Sequence, residues 1–334
     1  MIIYIILATY IKKYKYLSCY HNVRKEVNNL YEWNEAIQKM IDWIEDNITD
    51  NPSLLDMSKQ IGYSPYYCST QFHEIVGMTI KSYVAGRRLT SATLAIRDTR
   101  ERILDIAIKY GYSSQEALTR AFMSAYGCTP SAYRRNPRPI ALSNRQVVLF
   151  PHHYIGKGDF TMNKTVLTEA NVRVEYIPAH KYIGIWDVNA SDYDAFWKRH
   201  DCDKTCGVID SMSHIADPVV TCHTAGWFYE NEKRGYFYGF GVPSDYSGEI
   251  PEGFEVRDFP GGHYLVFFHP PFDYLKDCGE VMNRVEKMAW NYDPSSKGYE
   301  WNEQECQCYQ RHYPEVIGYE VLRPVKKLPR PVSI

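Results

Sequence analysis

A short helix, a glycine turn and a second amphipathic helix occur twice in this chain, about fifty residues apart. In the second copy, Ile103, Ile106 and Ala107 recur at helical spacing, and so do Ala117, Leu118, Ala121 and Phe122 after a break at Gly111-Tyr112-Ser113-Ser114. Gly111 suits a helix C-cap, where only glycine turns left-handed without steric cost. Ser113 or Ser114 suits the next N-cap, worth about 1 kcal/mol. In the first copy, Leu55 to Ser64 parallels Leu104 to Ser113, and Phe72, Gly77, Thr79 and Tyr83 parallel Phe122, Gly127, Thr129 and Tyr133. The pattern predicts two helix-turn-helix units tied by one helix from Thr79 to Ile96, a form that can enter two successive major-groove faces of a duplex.

The flanking elements follow from the same periodicity. Ile37, Met40, Ile41 and Ile44 predict an amphipathic helix from Asn34 to Ile48 with Asn34 as N-cap. Ser64 with Pro65 predicts a helix from Pro65 to about Val76, with Tyr67, Cys68, Phe72 and Ile75 facing inward and Tyr66, Ser69, Thr70 and His73 outward. The second recognition helix, about Ser114 to Tyr126, carries Ser114, Gln115, Thr119 and Arg120 on its polar side, residue types that bond base edges and phosphates. Arg120 is the strongest single candidate for a DNA contact. Arg134 and Arg135 at the end of a last short helix are candidates for phosphate contacts or for solvated surface. Arg87 and Arg88 fit an ion pair within the fold as well as a DNA contact.

This stretch, roughly Asn34 to Arg135, resembles the AraC-type family of transcription regulators. The signature I-x-D-I-A-x-x-x-G-Y-x-S…F…Y-G-x-T-P-S-x-Y-R is matched from Ile103 to Arg134. The resemblance implies that Pro65, Tyr66, Ser69 and Thr70 face the groove. No basic residue stands in that segment, so hydroxyl and aromatic contacts there would read thymine methyls or phosphates rather than guanine. Tyr66 as a packing residue is the alternative.

Charge agrees with a DNA-binding front half. The net charge of the 334 residues is −2, but residues 1–136 carry 17 Lys+Arg against 13 Asp+Glu, while residues 137–334 carry 21 against 27. The opening MIIYIILATYI is too short to cross a bilayer, which takes about twenty apolar residues, and its charges follow the apolar run, unlike a signal peptide. Residues 1–33 read as an N-terminal extension. Nine cysteines without a secretory signal read as free thiols in a reducing cytoplasm. Neither Cys202-x3-Cys206 nor Cys306-x-Cys308 has zinc-finger or ribbon spacing, so no metal and no cofactor is expected.

Asn136-Pro137-Arg138-Pro139 stops the last helix, and residues 137–169 read as a linker. Beyond it a second repeat appears at an offset of 82. Val174-x-x-Ile177-Pro178-Ala179-x-x-Tyr182-Ile183 parallels Val256-x-x-Phe259-Pro260-Gly261-x-x-Tyr264-Leu265. Each copy alternates like a strand before its proline, resumes as a strand after it, and leads to a helical segment, Asp192 to Lys198 or Tyr274 to Trp290. Paired strands follow in both halves. The fold class is therefore multidomain: an all-α double helix-turn-helix domain at 34–136, then an α+β domain at 170–328 built as a duplicated β-α-β-β unit.

That rear part resembles the GyrI-like effector-binding domain, through V-E-Y-I-P-A-H near Val174, Trp290, Gly298-Tyr299-Glu300-Trp301 and Tyr313-Pro314-Glu315-x-x-Gly318-Tyr319-Glu320. Such domains bind small amphipathic molecules, often cations. Trp186, Trp197, Trp227, Trp290 and Trp301 are candidates for an aromatic pocket, each ring face attracting an organic cation by about 0.5–2 kcal/mol, or else for ordinary core. Glu320, in an apolar strand, matches the family's pocket glutamate and Tyr319 a frequent neighbour. The expected function is a DNA-binding transcription regulator with double-stranded DNA, a small-molecule effector and RNA polymerase as partners. Small-molecule hydrolysis or protein binding by the rear domain are the alternatives.

Overall fold

The computed structural model describes residues 20–50, 52–148, 167–231, 233–313 and 318–328. The opening apolar run, the linker at 149–166 and Pro314-Glu315 of the end motif lie outside the described residues.

Among the described residues, seven helices form the front half: α1 (Tyr20–Asp46), α2 (Leu54–Ile61), α3 (Pro65–Val76), α4 (Ile80–Asp98), α5 (Ile103–Lys109), α6 (Gln115–Tyr126) and α7 (Pro130–Arg135). The turn chemistry sets their limits. Ser53, Ser64, Thr79, Ser114 and Thr129 each accept a backbone N–H bond as N-cap, and Gly62, Gly77 and Gly127 close α2, α3 and α6 left-handed. One expectation fails here. Asn34 is no cap: α1 begins fourteen residues earlier and runs through it, with Asn34 buried at its middle. Residues 20–33 hold neither glycine nor proline, so nothing there stops a helix.

Two small cores result. Ile37, Met40, Ile41 and Ile44 of α1 pack with Met57, Cys68, Phe72 and Tyr83, while Leu89 and Ile96 of α4 pack with Ile106, Leu118, Phe122 and Tyr133. The helix α4 is thus shared by both hairpins. Arg87 serves the fold: its guanidinium grips Glu45 of α1 through Nε (2.8 Å) and Nη2 (2.8 Å). Burial alone would raise the Glu45 carboxyl, but the bonds from Arg87 and Tyr83 outweigh it and hold the group below the usual carboxylate range.

The segment expected to be linker from 137 is, up to 148, an ordered strap. Ile140 and Leu142 join the second core and Val148 the first. Ser143 exchanges two hydrogen bonds with Thr90 of α4 (3.0 and 3.1 Å) and accepts one from Arg87. The sequence reading missed this because the strap has no period, having only single apolar residues set among polar ones.

The rear half is one nine-stranded antiparallel sheet: β1 (Val172–Ile177), β2 (His180–Asp187), β3 (Thr224–Glu230), β4 (Lys233–Pro243), β5 (Glu255–Phe259), β6 (Gly262–His269), β7 (Tyr299–Trp301), β8 (Cys308–Tyr313) and β9 (Gly318–Lys327). Its order is β1-β6-β9-β8-β3-β4-β2-β5, with β7 on β9. As the sequence pattern predicts, each repeat has two strands before its helical part, separated at Pro178-Ala179 and Pro260-Gly261. The bent pair β1–β2 runs against the bent pair β6–β5 in a single register, from Val172 opposite Phe267 to Gly184 opposite Glu255. Three helices accompany the sheet: α8 (Tyr193–Trp197), α9 (Cys202–Ser211) and α10 (Tyr274–Asn291). Alternation along the strands gives two cores: Tyr319, Val321 and Val325 face the side packed by α8, α9 and α10, and Leu322 faces the other with Tyr182, Phe237 and Tyr309.

The helix α9 was not foreseen, and it joins the halves. Leu142 N–H donates to Gly207 O (3.3 Å), Ile140 N–H to Ser211 Oγ (3.1 Å), and Asn144 Nδ2 to Asp203 O (2.8 Å). Arg97, near the end of α4, donates to the last carbonyls of α9, Asp210 O (3.2 Å) and Ser211 O (2.8 Å).

Arg87→Ala leaves Glu45 buried without its cation. We expect a loss of about 3 kcal/mol in denaturant unfolding of the helical half. The contribution of Glu45 itself is present above the ordinary carboxylate pKa and vanishes as pH falls through the depressed folded value.

Candidate nucleic-acid interface and ligand site

The first turns of α3 and α6 carry the polar residues singled out for base contact. On α3, Tyr66 is 76% exposed and Ser69 is exposed. Thr70 is half-buried and its hydroxyl donates to Tyr66 O (3.0 Å). Tyr67, expected in the core, is 59% exposed, so this helix start offers two tyrosine rings set edge to face at 6.0 Å. The reason is the turn: Ser64 caps the Tyr67 N–H, which leaves Cys68 and Phe72 as the inward pair. Ser69 also borders a groove of about 460 Å³ between α3 and α4, lined in part by Lys81, Val84 and Arg88.

On α6, Gln115 and Arg120 are exposed, Ser114 caps Ala117 N–H (3.2 Å), and Thr119 donates to Gln115 O (2.8 Å). Gln115, Glu116 and Arg120 are therefore the side chains of this helix start with polar atoms turned outward. Arg135 is exposed as well, whereas Arg134 donates from Nε to Ile96 O (2.8 Å) and its Nη2 is buried. Arg134 thus caps the end of α4. Arg88 is similarly turned inward, donating to Ile48 O (3.2 Å) and lying so close to the left-handed Gly111 (φ 77°) that a Cβ there would stand 3.0 Å from its guanidinium.

In the rear half, the residues expected to form one pocket divide between the two faces of the sheet. Trp197, Trp227, Trp290, Trp301 and Tyr319 lie on the helix-covered face, and Trp186 on the other. The indoles of Trp290 and Trp301 already hold a cation: Arg323 stands 4.6 Å and 3.5 Å from their ring centres, with Glu303 as its counter-ion at 2.7 Å. Arg257 covers Trp186 at 4.3 Å.

Glu320 is buried and neutralised from within. Arg173 Nη2 (2.7 Å) and Arg311 Nη1 (3.3 Å) both reach it, and both arginines also bind Glu175. Strand alternation puts it on the face opposite Tyr319. A carboxylate held by two guanidinium groups has little left for a guest cation.

Glu286 of α10 has the surroundings that Glu320 lacks. Tyr319 Oη donates to it at 2.7 Å. Around it on the same face are Tyr236, whose hydroxyl donates to Gln310 Oε1 (2.6 Å), and Trp227, which meets Trp290 edge-on at 5.3 Å and Tyr236 at 5.7 Å. Asp192 and Arg234 add field from nearby. Burial raises the Glu286 carboxyl above its ordinary value, against the Tyr319 bond and Arg234. Further along this face, Trp197 packs on Tyr238 at 4.7 Å with its indole N–H buried and without an acceptor. Sequence reasoning passed over Glu286. It lies beside Val285 on the apolar stripe of α10, and that adjacency was its only signal.

Comparison with known proteins follows the same division. Residues 57–136 match the model of a helix-turn-helix domain, and residues 189–321 match that of the integron-associated effector binding protein. The transposon Tn10 TetD protein of Escherichia coli is 35% identical over 122 residues, 36% of this chain and 88% of TetD. The regulatory protein SoxS of Salmonella typhimurium is 38% identical over 101 residues, 30% of this chain and 94% of SoxS. The right origin-binding protein of Escherichia coli K12 is 30% identical over 151 residues, 45% of each chain. The chain thus spans most of the first two relatives and under half of the third. Among the described residues no helix is long and apolar enough to cross a membrane.

The folded state holds the Glu286 proton more tightly than the unfolded chain does. Its stabilising contribution is therefore complete below the ordinary carboxylate range and is lost as pH rises through the raised value. Glu286→Gln should flatten this fall, so that in urea unfolding the variant gains on the parent as pH rises above the ordinary carboxylate range and through the raised value.

Proposed function

Because the chain belongs to the AraC family of transcription regulators, whose members bind DNA through this helical pair, we propose that its DNA affinity is set by a small organic cation held in the rear domain. The observation that supports the reading is the pairing of two capped helix starts, at Ser64 and Ser114, with a separate aromatic interior around Glu286. Tyr66, Tyr67 and Ser69 meet thymine methyls and phosphates from α3, and Gln115 and Arg120 read base edges from α6. Arg135 touches phosphate. RNA polymerase is the partner through which occupancy becomes transcription.

The ligand reading rests on chemistry. A buried carboxyl of raised pKa, a tyrosine donor, ring faces from Trp227 and Tyr236, and the unused indole N–H of Trp197 together suit an amphipathic cation with one acceptor atom. On binding a cation, Glu286 gives up its proton, so affinity falls as pH drops below the raised pKa. Coupling between the two halves is then about 1–3 kcal/mol, carried by α9 and the strap. A second reading, hydrolysis of small electrophiles by the Tyr319–Glu286 pair, has the 2.7 Å bond between them in its favour; a product formed on incubation of candidate ligands with the protein would support it.

Footprinting on DNA flanking the gene, with and without a cationic dye, tests the main reading. Arg120→Ala should weaken operator binding roughly tenfold or more, from a lost base contact of about 1–3 kcal/mol, and leave dye affinity unchanged. Glu286→Gln should keep operator binding and weaken the dye at least tenfold in a fluorescence titration. Unchanged dye affinity in that variant would remove Glu286 from the site.

A further inference from the structure

The helix α9 carries two stripes. Asp203, Gly207 and Ser211 hold the strap. One residue back along the chain, Cys202 and Cys206 stand four apart, with sulfurs 3.8 Å from one another. Cys202 is exposed and Cys206 is half-buried. No step in DNA recognition or in the Glu286 site uses them. We propose that Cys202 and Cys206 form a binding site for a monosubstituted trivalent arsenical, an organic arsenic(III) centre with two exchangeable valences.

The geometry selects this ligand class. A disulfide bond needs about 2.05 Å between sulfurs, so the thiols are free. A linear two-coordinate metal with bonds of about 2.3 Å needs its sulfurs about 4.6 Å apart, wider than this pair. At 3.8 Å the two sulfurs subtend about 110° at a centre with bonds of that length, the angle of a pyramidal or tetrahedral atom. A tetrahedral metal would want two more ligands, and the described residues contain no group of three or more Cys, His, Asp or Glu able to hold one. A pyramidal arsenic that brings its own carbon substituent needs only the two thiolates, and its softness matches sulfur.

The thiols are also chemically prepared. Either thiol can donate to the other; with Cys206 as donor, the bond holds Cys202 below the ordinary thiol value, while Cys206 is pushed up by the same partner and by burial. Cys202 is the exposed sulfur of the pair and is the first nucleophile. In the reaction R–As=O plus two thiols, two As–S bonds form, the As=O bond breaks, and its oxygen leaves as water with the two thiol protons. Arsenic remains trivalent, so no oxidant or reductant takes part. The described cysteines elsewhere are less suited. Cys306 and Cys308 are both buried, and Cys128 and Cys222 are far apart in sequence from any exposed thiol partner on their own element.

Phenylarsine oxide added to the full chain is the test, read by native mass spectrometry and by counting free thiols. We expect one adduct, equal to the reagent less one water, with the loss of two titratable thiols. Excess monothiol should leave it in place and a small dithiol should strip it. Cys202→Ser and Cys206→Ser should each lose the monothiol-resistant adduct, with retention dropping at least tenfold, while Cys128→Ser keeps it. Circular dichroism on each serine variant confirms that the fold is intact. A monothiol-resistant adduct that persists in the Cys202→Ser/Cys206→Ser double variant, or an adduct of the parent that monothiol removes, overturns the assignment.

Discussion

Two glycines on different helices allow a strand of irregular chain to pass between the halves of this protein. A Cβ on Gly86 of α4 would stand 2.7 Å from Ser143 Oγ, and one on Gly207 of α9 would stand 2.2 Å from Leu142 O. The Gly207 contact tolerates no larger residue, since it is with backbone, which cannot yield as a flexible side chain can; at Gly86 the Ser143 side chain would have to shift. The strap therefore sits close to both helices, with hydrogen bonds to Thr90 on one side and to Gly207 and Ser211 on the other. Among the described residues, the hydrogen bonds named above between the halves lie near this crossing. The Arg97 bonds to the end of α9 run beside it, and the Glu45–Arg87 pair fixes the helix from which the strap hangs.

The front half was readable because its signals are local. Serine or threonine caps start α3, α4, α6 and α7, left-handed glycines close α3 and α6, and these signals are decided by chain neighbours alone. The start of α1 was misread since Asn34 has the right chemistry for a cap, and only a buried environment reveals that it is not one. Which arginine faces outward was also hidden. Arg120 and Arg134 look alike in sequence, yet one is exposed and the other is spent on Ile96 O, a residue 38 positions away.

The rear half shows the opposite balance. Its duplication was visible from prolines 82 residues apart, and the strands followed. The ligand site proposed around Glu286 was not visible. Glu320 stood out as a charge in an apolar run, but charges in such runs are most simply explained by partners, here Arg173, 147 residues away, and Arg311 of the neighbouring strand β8, 9 residues away. Glu286 was inconspicuous in a helix of mixed charge, and its importance comes from Tyr319 crossing over to meet it. Sequence alternation places Tyr319 and Glu320 on opposite sides of the sheet, and that rule alone could have warned against assigning them to one pocket.

The crossing of the bent strands bears on how the rear domain is made. Each repeat sends its first strand to the far half: β1 pairs with β6, and β5 pairs with β2. Neither repeat can complete its share of the sheet until the other has been synthesised, some 80 residues later. Ring closure over such separations is entropically slow. During translation the early strands emerge with open edges, the state most exposed to mispairing with another chain. The helical half, made of short-range contacts, is already assembled by then. A ribosome-bound chain would thus present a finished reading head attached to an unfinished sheet.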